Sequence, residues 1–405
     1  MSRIGIFTLN YHPLIGGVEA HARQIAHGFS AEHVVTIGAV NMSSRKVPHR
    51  LRVLGSNLLT GCSSDRSDGP VKVVSLASSP AARILMLPLL IRAVPRIQRW
   101  FYHEMNRATR PFYSLALRSK LRRVLGGCDV VHCLCSGDLG IAVEKEARAL
   151  GLPVVCTPFV HPNQWGDGPD DIELYRRCDA VIGLVPSDRD YLAGIGVPVE
   201  KLRVVGVSPC LPEEFNRTAF RSREHLRDEP VVLYVGRMMA QKGAAVLVAA
   251  AARVWQAHPG ALFYFAGPGG CDELAIFAGA DLRIRYLGRI SDCEKAETLA
   301  GCDVFCMPSA SEILPTVYLE AWALGKPVIG GPARGLRELV EDSGGGFVSE
   351  QSAEPLARQL IRMLDDSELR RSCGEAGRKL VAENYSIEAV TSQLGKIYRE
   401  VCERA

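Results

Sequence analysis

The sequence lacks a long apolar run and a strong charge of one sign. Its 405 residues include 48 lysines and arginines and 44 aspartates and glutamates, so the net charge of +4 says little about partners. No apolar stretch approaches the roughly 20 residues that a membrane-spanning helix needs. The chain starts directly on a strand-like run, without the apolar core and cleavage site of a secretory signal. We therefore expect a cytoplasmic protein.

The cysteines lack the spacing of a metal site or a redox pair. None of the thirteen forms a C-x-x-C pair. Cys133 and Cys135 flank one residue without further ligands nearby, and others, such as Cys156 and Cys306, lie in apolar runs. Such thiols are typical of buried, reduced cysteines in a reducing compartment. We expect neither a disulfide framework nor a cysteine-bound metal.

Apolar runs alternate with helix-like segments along most of the chain. This alternation predicts parallel sheets covered by helices on both faces, and the length suits two or three domains. The charged segment 217–229 has no periodic apolar spacing, so we interpret it as a linker. In the second half the strand-like runs fall at 231–235, 261–266, 283–287, 303–306, 327–329 and 346–348.

The most informative stretch runs from Glu312 to Glu320, where a short strand leads into a helix. Pro315 suits the first helical turn, and the N–H groups of residues 316–318, unpaired and backed by the helix dipole, would form an anion site. Glu320 lies one turn beyond Thr316 on the same helix face. Carboxylates accept hydrogen bonds only. The pattern therefore fits a ligand that is anionic in the middle and rich in hydroxyls at both ends, such as a nucleotide sugar, although two such glutamates also occur without a ligand.

A second segment, from Gly236 to Gly243, follows the apolar run 231–235 and carries Arg237 and Lys242. Ligands of open parallel sheets bind outside the carboxyl ends of the strands. An arginine and a lysine there can neutralise a diphosphate without a metal ion. A solvated turn explains this segment equally well when it is taken alone. Together, the two segments predict one phosphate-binding edge.

Both segments resemble those of the retaining glycosyltransferases of family 4, which have the GT-B fold. The resemblance extends over nearly the whole chain and rests on Gly236-Arg237, Lys242-Gly243, Pro308–Glu312, Leu319–Ala321, Gly16–Glu19, Asp129–His132, Val204–Val207 and Leu287-Gly288. It implies an α/β protein of two Rossmann-like domains whose parallel sheets face each other across a cleft. The acceptor domain would span 1–215 with a crossover helix at 386–405, and the donor domain 229–385.

The resemblance implies a glycosyltransferase of the hexosyltransferase type, which moves a sugar from a nucleotide-diphosphate sugar to a hydroxyl acceptor with retention of configuration. Arg237 and Lys242 would bind the diphosphate and stabilise the leaving group. Glu320 would accept from the ribose hydroxyls and Glu312 would orient the sugar. His161, at the end of a strand-like run that starts at Pro153, would contact the sugar on the acceptor side. The other implied binding positions are Gly16, Gly17, Gly236, Arg289, Ile290, Leu314, Pro315, Thr316 and Val317.

No metal or other cofactor is expected, since the nucleotide sugar is a co-substrate. Asp188 and Asp190 form an Asp-x-Asp, a pattern that binds metal in other transferases. Here Ser187, followed three residues later by Asp190, reads instead as a helix start resembling a capping box. Two other functions stay open: a nucleotide-sugar epimerase of the same fold and a non-catalytic nucleotide-sugar-binding protein.

The segment 83–123 mixes ten basic residues with apolar and aromatic ones and contains a single acid, Glu104. This mixture is typical of a helix at an anionic membrane surface, and it suits a lipid-linked or otherwise anionic acceptor. Two core-packed helices with a solvated basic face fit it as well. Peripheral contact at the inner membrane face is therefore one of two interpretations. No nucleic-acid-binding motif accompanies the charge, so we expect no nucleic acid partner.

Overall fold

The structure is a computed structural model that describes residues 1–14, 16–41, 65–76 and 84–404. Arg83, the first residue of the basic segment, lies outside these residues. The chain divides into two compact units, one made of Met1–Val205 with Val390–Ala405 and the other of Gly206–Ala389. Each unit has its own sheet with helices around it, and the predicted α/β fold class is confirmed.

Among the described residues, the first unit contains a sheet of eight strands. Its strands are β1 (Arg3–Asn10), β2 (Val34–Asn41), β3 (Arg66–Asp68), β4 (Val71–Ser75), β5 (Val130–Cys133), β6 (Val154–Cys156), β7 (Ala180–Gly183) and β8 (Leu202–Val204). They lie in the order β3-β4-β2-β1-β5-β6-β7-β8, and β3 is antiparallel to its neighbour while the others are parallel. The helices are α1 (Gly17–Ser30), α2 (Pro95–Leu125), α3 (Gly137–Arg148), α4 (Pro169–Arg177) and α5 (Pro186–Gly194).

The second unit contains a six-stranded parallel sheet. Its strands are β9 (Val231–Val235), β10 (Leu262–Ala266), β11 (Ile284–Gly288), β12 (Val304–Met307), β13 (Val328–Gly330) and β14 (Gly346–Val348). They lie in the order β11-β10-β9-β12-β13-β14. Its helices are α6 (Ala219–Arg223), α7 (Ala244–Ala257), α8 (Cys271–Leu274), α9 (Asp292–Gly301), α10 (Thr316–Ala323), α11 (Arg334–Ser343), α12 (Ala353–Asp365) and α13 (Ser367–Leu380). The last helix, α14 (Ile387–Arg404), belongs to the first unit from Val390 onward.

The interpretation of 217–229 as a linker is wrong, because this segment packs into the second unit. Phe220, on the short helix α6, is fully buried and meets the ring of Tyr264 edge-on at 4.9 Å. Arg221 on the same helix forms an ion pair with Asp303 at 2.7 Å. A five-residue helix with one buried aromatic is too short to show a helical period in the sequence.

His132 lies within β5 and belongs to the core of the first unit. Its Nδ1 is 2.7 Å from the hydroxyl oxygen of Tyr398 on α14, and its Nε2 is 2.8 Å from that of Thr157. Burial lowers the pKa of His132 to about 3, so the ring is neutral at physiological pH. This histidine therefore attaches the last helix to the sheet.

The helix start predicted at Ser187 is wrong by two residues, because the observed N-cap is Val185. Helix α5 begins at Pro186 with Val185 as its N-cap, so Ser187 lies inside the first turn. Asp188 is the acid that closes this turn, since its carboxylate accepts the N–H of Leu184 at 2.8 Å. Burial raises the pKa of Asp188 to about 6. Proline at the first helical position explains the shift, because it needs no N–H partner there.

Candidate active site

The two segments singled out in the sequence leave neighbouring strands at the same edge of the second sheet. From β9 the chain builds β10 and β11 on one side, whereas β12, β13 and β14 lie on the other. The strand order therefore reverses between β9 and β12, and ligands of open α/β sheets bind outside the carboxyl ends at such a point. The loop after β9 holds residues 236–243, and the loop after β12 holds residues 308–315.

Main-chain contacts fix these two loops against each other. The carbonyl oxygen of Gln241 accepts the N–H of Ala310 at 2.8 Å and the side-chain amide of Gln351 at 2.9 Å. Gly243 has a φ of +79°, and a Cβ there would lie 2.6 Å from the carbonyl oxygen of Pro308. Only glycine fits that close approach. The loops thus form one rigid edge.

Lys242 and Glu312 meet across this edge. The Lys242 ammonium bonds directly to the Glu312 carboxylate, and the two side chains are 14% and 9% exposed. Arg237 is exposed. The Tyr234 hydroxyl donates to the carbonyl oxygen of Arg237 at 2.8 Å, and burial together with the nearby Glu312 charge raises the pKa of Tyr234. One predicted cation and one predicted acid are therefore in direct contact, and the second cation, Arg237, lies in the same loop as Lys242.

The start of helix α10 differs in detail from the expectation. Pro315 stands just before the helix as its N-cap, and its carbonyl oxygen accepts the N–H of Tyr318 at 3.1 Å. Among the residues that the structure describes, the N–H groups of Thr316 and Val317 have no partner. The predicted anion site thus keeps two of its three free donors.

Glu320 lies on the same helix but is almost completely buried. Its Oε1 is 2.9 Å from the ammonium of Lys295 and accepts the N–H of Cys210 at 3.3 Å. Burial raises the pKa of Glu320, and Lys295 opposes this effect. Burial likewise disfavours the charge on Lys295, but the charge of Glu320, the hydrogen bond to it and the charge of Asp292 together outweigh burial, so the pKa of Lys295 is raised. Sequence reasoning missed Lys295, because no local pattern links it to an acid 25 residues later.

Three glycines end the adjacent strands β9, β10 and β11. Gly267 has a φ of +134°, and a Cβ there would lie 1.9 Å from the carbonyl oxygen of Gly236. The N–H of Gly267 donates to the carbonyl oxygen of Gly288 at 2.8 Å. Arg289 and Ile290 follow directly, exposed and half-buried respectively. The three strand ends thus pack closely through their main chains, next to two of the implied binding positions.

The remaining predicted residues belong to the first unit. Gly16 and Gly17 start α1 after β1, which lies between β2 and β5 where the strand order of this sheet reverses. His161 does not end a strand, because β6 stops at Cys156. It forms an isolated β-bridge with Trp165, and the two rings are 3.9 Å apart. Its role at the sugar stays a prediction.

Many charges of the basic segment are paired with acids elsewhere in the first unit. Arg92 is buried and bonds to Asp138, and Arg110 bonds to Asp138 and to Asp170 at 2.9 Å. Arg107, Arg118, Arg122 and Arg123 also form ion pairs.

The apolar residues of the basic segment differ from one another in their exposure to solvent. Met86 and Leu89 are buried, whereas a set that we call the apolar segment is 39–67% exposed: Ile84, Leu85, Leu87, Leu90, Ile91 and Val94.

Within the described part of the chain, no helix is long and apolar enough to cross a membrane. The same residues contain no group of three or more His, Cys, Asp or Glu side chains placed to hold a metal ion.

Two family models match the chain. Residues 16–208 match the glycosyl transferase 4-like domain, and residues 216–380 match the glycosyl transferases group 1. An alpha-D-kanosaminyltransferase of Streptomyces kanamyceticus is 29% identical over 70% of this chain and 80% of its own length. A GDP-mannose-dependent monoacylated alpha-(1-6)-phosphatidylinositol monomannoside mannosyltransferase of Corynebacterium glutamicum is 32% identical over 55% of this chain and 58% of its own.

Solved structures match the whole chain in fold. A sucrose-phosphate synthase of Thermosynechococcus elongatus has a TM-score of 0.75 at 20% identity and covers 100% of both chains. Anabaena HepE in complex with UDP-glucose has a TM-score of 0.72 at 16% identity over 99% of this chain and all of its own. The residues matched by the two family models correspond closely to the two units of the structure. The chain therefore belongs to the group 1 family of glycosyltransferases and is a glycosyltransferase of the GT-B fold.

Proposed function

We propose that the protein is a retaining, metal-independent glycosyltransferase that uses a nucleotide-diphosphate sugar. The observation that carries this proposal is the charge arrangement at the strand-order reversal of the second sheet. Lys242, Arg237 and the free N–H groups of Thr316 and Val317 supply positive potential at one edge. Such donors fit a diphosphate, and they can stabilise the charge that develops on it as the glycosidic bond breaks.

The proposed step exchanges one bond at the anomeric carbon for another. The bond to the diphosphate oxygen breaks, the bond to the acceptor oxygen forms on the same face, and the acceptor proton passes to the departing phosphate. Glu312 orients the sugar beside this phosphate, and Glu320 accepts hydrogen bonds from the ribose hydroxyls. The relatives are named as transferases, which favours transfer over epimerisation. A hydroxyl acceptor completes the reaction.

A nucleotide panel tests the proposed donor site. We expect one of UDP, GDP, ADP, CDP and TDP to raise the melting temperature in the presence of EDTA. At a hundred times Kd the gain in unfolding free energy is about 2.7 kcal/mol, which is easily measured. The matching nucleoside is the control, since it lacks the diphosphate. If no nucleotide shifts the melting temperature, or if the shift needs a divalent cation, the proposal of a metal-independent donor site is wrong.

We also propose that the apolar segment contacts an anionic membrane surface, where a lipid-linked acceptor would lie. Met86, Leu89 and Arg92 are buried at a spacing of three, the period of a 3-10 helix. These three residues anchor the helix, and the leucines and isoleucines of the apolar segment are exposed to solvent. Arg107 and Arg123 nearby in the chain keep more than half of their side-chain surface exposed despite their ion pairs. An apolar face beside basic residues suits anionic lipid.

Vesicle sedimentation tests this surface. We expect the protein to bind vesicles of phosphatidylcholine with phosphatidylglycerol and to lose most of that binding in the double variant Leu87→Glu/Leu90→Glu. Both side chains are about half exposed, so folding should persist. Leu282→Glu is the matched control, because Leu282 is 90% exposed in the second unit. Equal binding by the double variant and the control would rule out the apolar segment as the contact.

A further inference from the structure

Lys295 holds the carboxylate of Glu320 although it lies outside both loops of the candidate site. Its ammonium is 2.9 Å from Oε1 of Glu320 and donates to the carbonyl oxygen of Cys210 at 3.3 Å. The Lys295 and Glu320 side chains are 16% and 2% exposed. Asp292, one turn earlier on α9, lies 3.5 Å from the same ammonium but is 67% exposed. The contact with Glu320 is thus the buried one.

The two oxygens of the Glu320 carboxylate have different surroundings. Oε1 accepts from both Lys295 and the N–H of Cys210, whereas Oε2 is buried and has no hydrogen-bond partner among the described residues. A buried acceptor without a partner destabilises the folded state. Such a group in a folded protein calls for an explanation. A hydroxyl donor supplied by a ligand would satisfy it.

We propose that Lys295 is a positioning residue for donor binding: it keeps Glu320 ionised and holds Oε1, so that Oε2 is left to accept from a ribose hydroxyl of the nucleotide. This inference rests on the proposed function, since it assumes a nucleotide donor. Two groups meet the Glu320 carboxylate, the Lys295 ammonium from helix α9 and the N–H of Cys210, and Lys295 also donates to the carbonyl oxygen of Cys210. The orientation of Glu320 is therefore fixed before any ligand arrives.

The charge on Lys295 favours the ionised form of Glu320, which is the form that accepts hydrogen bonds through both oxygens. Without it, the carboxylate would be a buried charge with no counter-ion, and burial favours its protonated form. A protonated carboxyl group carries its own O–H and no longer offers two equivalent acceptors. Loss of Lys295 should therefore remove the preference for a ribose hydroxyl, whereas a change that affects only packing would not.

The test measures discrimination between ribose and deoxyribose. Calorimetric titration would compare the nucleoside diphosphate that binds the wild-type protein with its 2′-deoxy and 3′-deoxy analogues. We expect at least one deoxy analogue to bind the wild type about 10- to 100-fold more weakly, because a buried acceptor is left unpaired. Lys295→Met should reduce that ratio to near one. Lys295→Arg should preserve it, and so should Asp292→Asn, the matched control.

A second pair of variants keeps the test decisive if Lys295→Met folds poorly. Glu320→Gln has no charge to balance, so the double variant Lys295→Met/Glu320→Gln buries no unpaired ion. If Lys295 acts through Glu320, the double variant should discriminate no less than Glu320→Gln alone. Full discrimination in Lys295→Met, or a further loss in the double variant, overturns the inference. Failure of the wild type to bind any nucleoside diphosphate refutes the proposed function instead, and this inference with it.

Discussion

Replacing Lys242 with alanine is expected to lower kcat/KM for the nucleotide-sugar donor by about 10²- to 10³-fold, the usual effect of removing one preorganised charge stabiliser. The Lys242 ammonium bonds to Glu312 at the strand-order reversal, and its loop also carries Arg237. Its charge would oppose the negative charge that develops on the departing diphosphate. Initial rates of donor consumption at low donor concentration measure this change directly.

Two further variants separate this role from a general loss of charge. Lys379→Ala is the matched control, since Lys379 belongs to the same unit and is 76% exposed; we expect its kcat/KM to equal that of the wild type. Lys242→Arg keeps the charge but not the geometry of a single ammonium, so partial activity is expected. An unchanged kcat/KM in Lys242→Ala would contradict the assignment of Lys242 to the diphosphate.

The sequence predicted the candidate site well where local patterns coincide with topology. Glycines and cations after β9 and paired acids around α10 are visible in the sequence, and the reversal of strand order brings them together. Alternating apolar runs suffice to predict parallel strands. The contact between Lys242 and Glu312 joins the two segments, while the roles of these residues at a ligand stay predictions.

Other parts depended on contacts between distant residues. Lys295 reaches Glu320 from a different helix, and nothing near it in the chain marks it as a partner. His161 reads as the end of a strand because Pro158 and Val160 continue an apolar run, yet β6 has stopped at Cys156. Tertiary packing decides such endings, and propensity alone does not.

Each carboxylate beside α10 has its own lysine. Glu312 meets Lys242 from the loop after β9, and Glu320 meets Lys295 from the helix before β12. The first pair is at the edge where a diphosphate would bind, so a ligand can compete for Lys242. The second pair is buried and fixed. This contrast predicts that a bound diphosphate displaces Glu312 from Lys242 but leaves Glu320 paired with Lys295.

Replacing Glu312 with glutamine is expected to lower donor turnover by about 10²-fold while leaving the free nucleoside diphosphate bound as tightly as before, or more tightly. Turnover falls because the sugar loses an orienting carboxylate. Binding of the nucleotide alone persists because Lys242, no longer paired with Glu312, can turn wholly to the diphosphate. Calorimetric titration with the nucleoside diphosphate and initial-rate measurements with the nucleotide sugar give the two quantities.

The comparison distinguishes two roles for Glu312. Glu375→Gln is the control, since Glu375 is 53% exposed in the same unit and pairs with an exposed arginine; both measurements should match the wild type. If Glu312→Gln weakens the nucleoside diphosphate as much as the nucleotide sugar, Glu312 serves mainly to hold Lys242 in place. If only the nucleotide sugar is affected, the carboxylate acts on the sugar, because the diphosphate contacts are then intact and the loss can arise only at the transferred group.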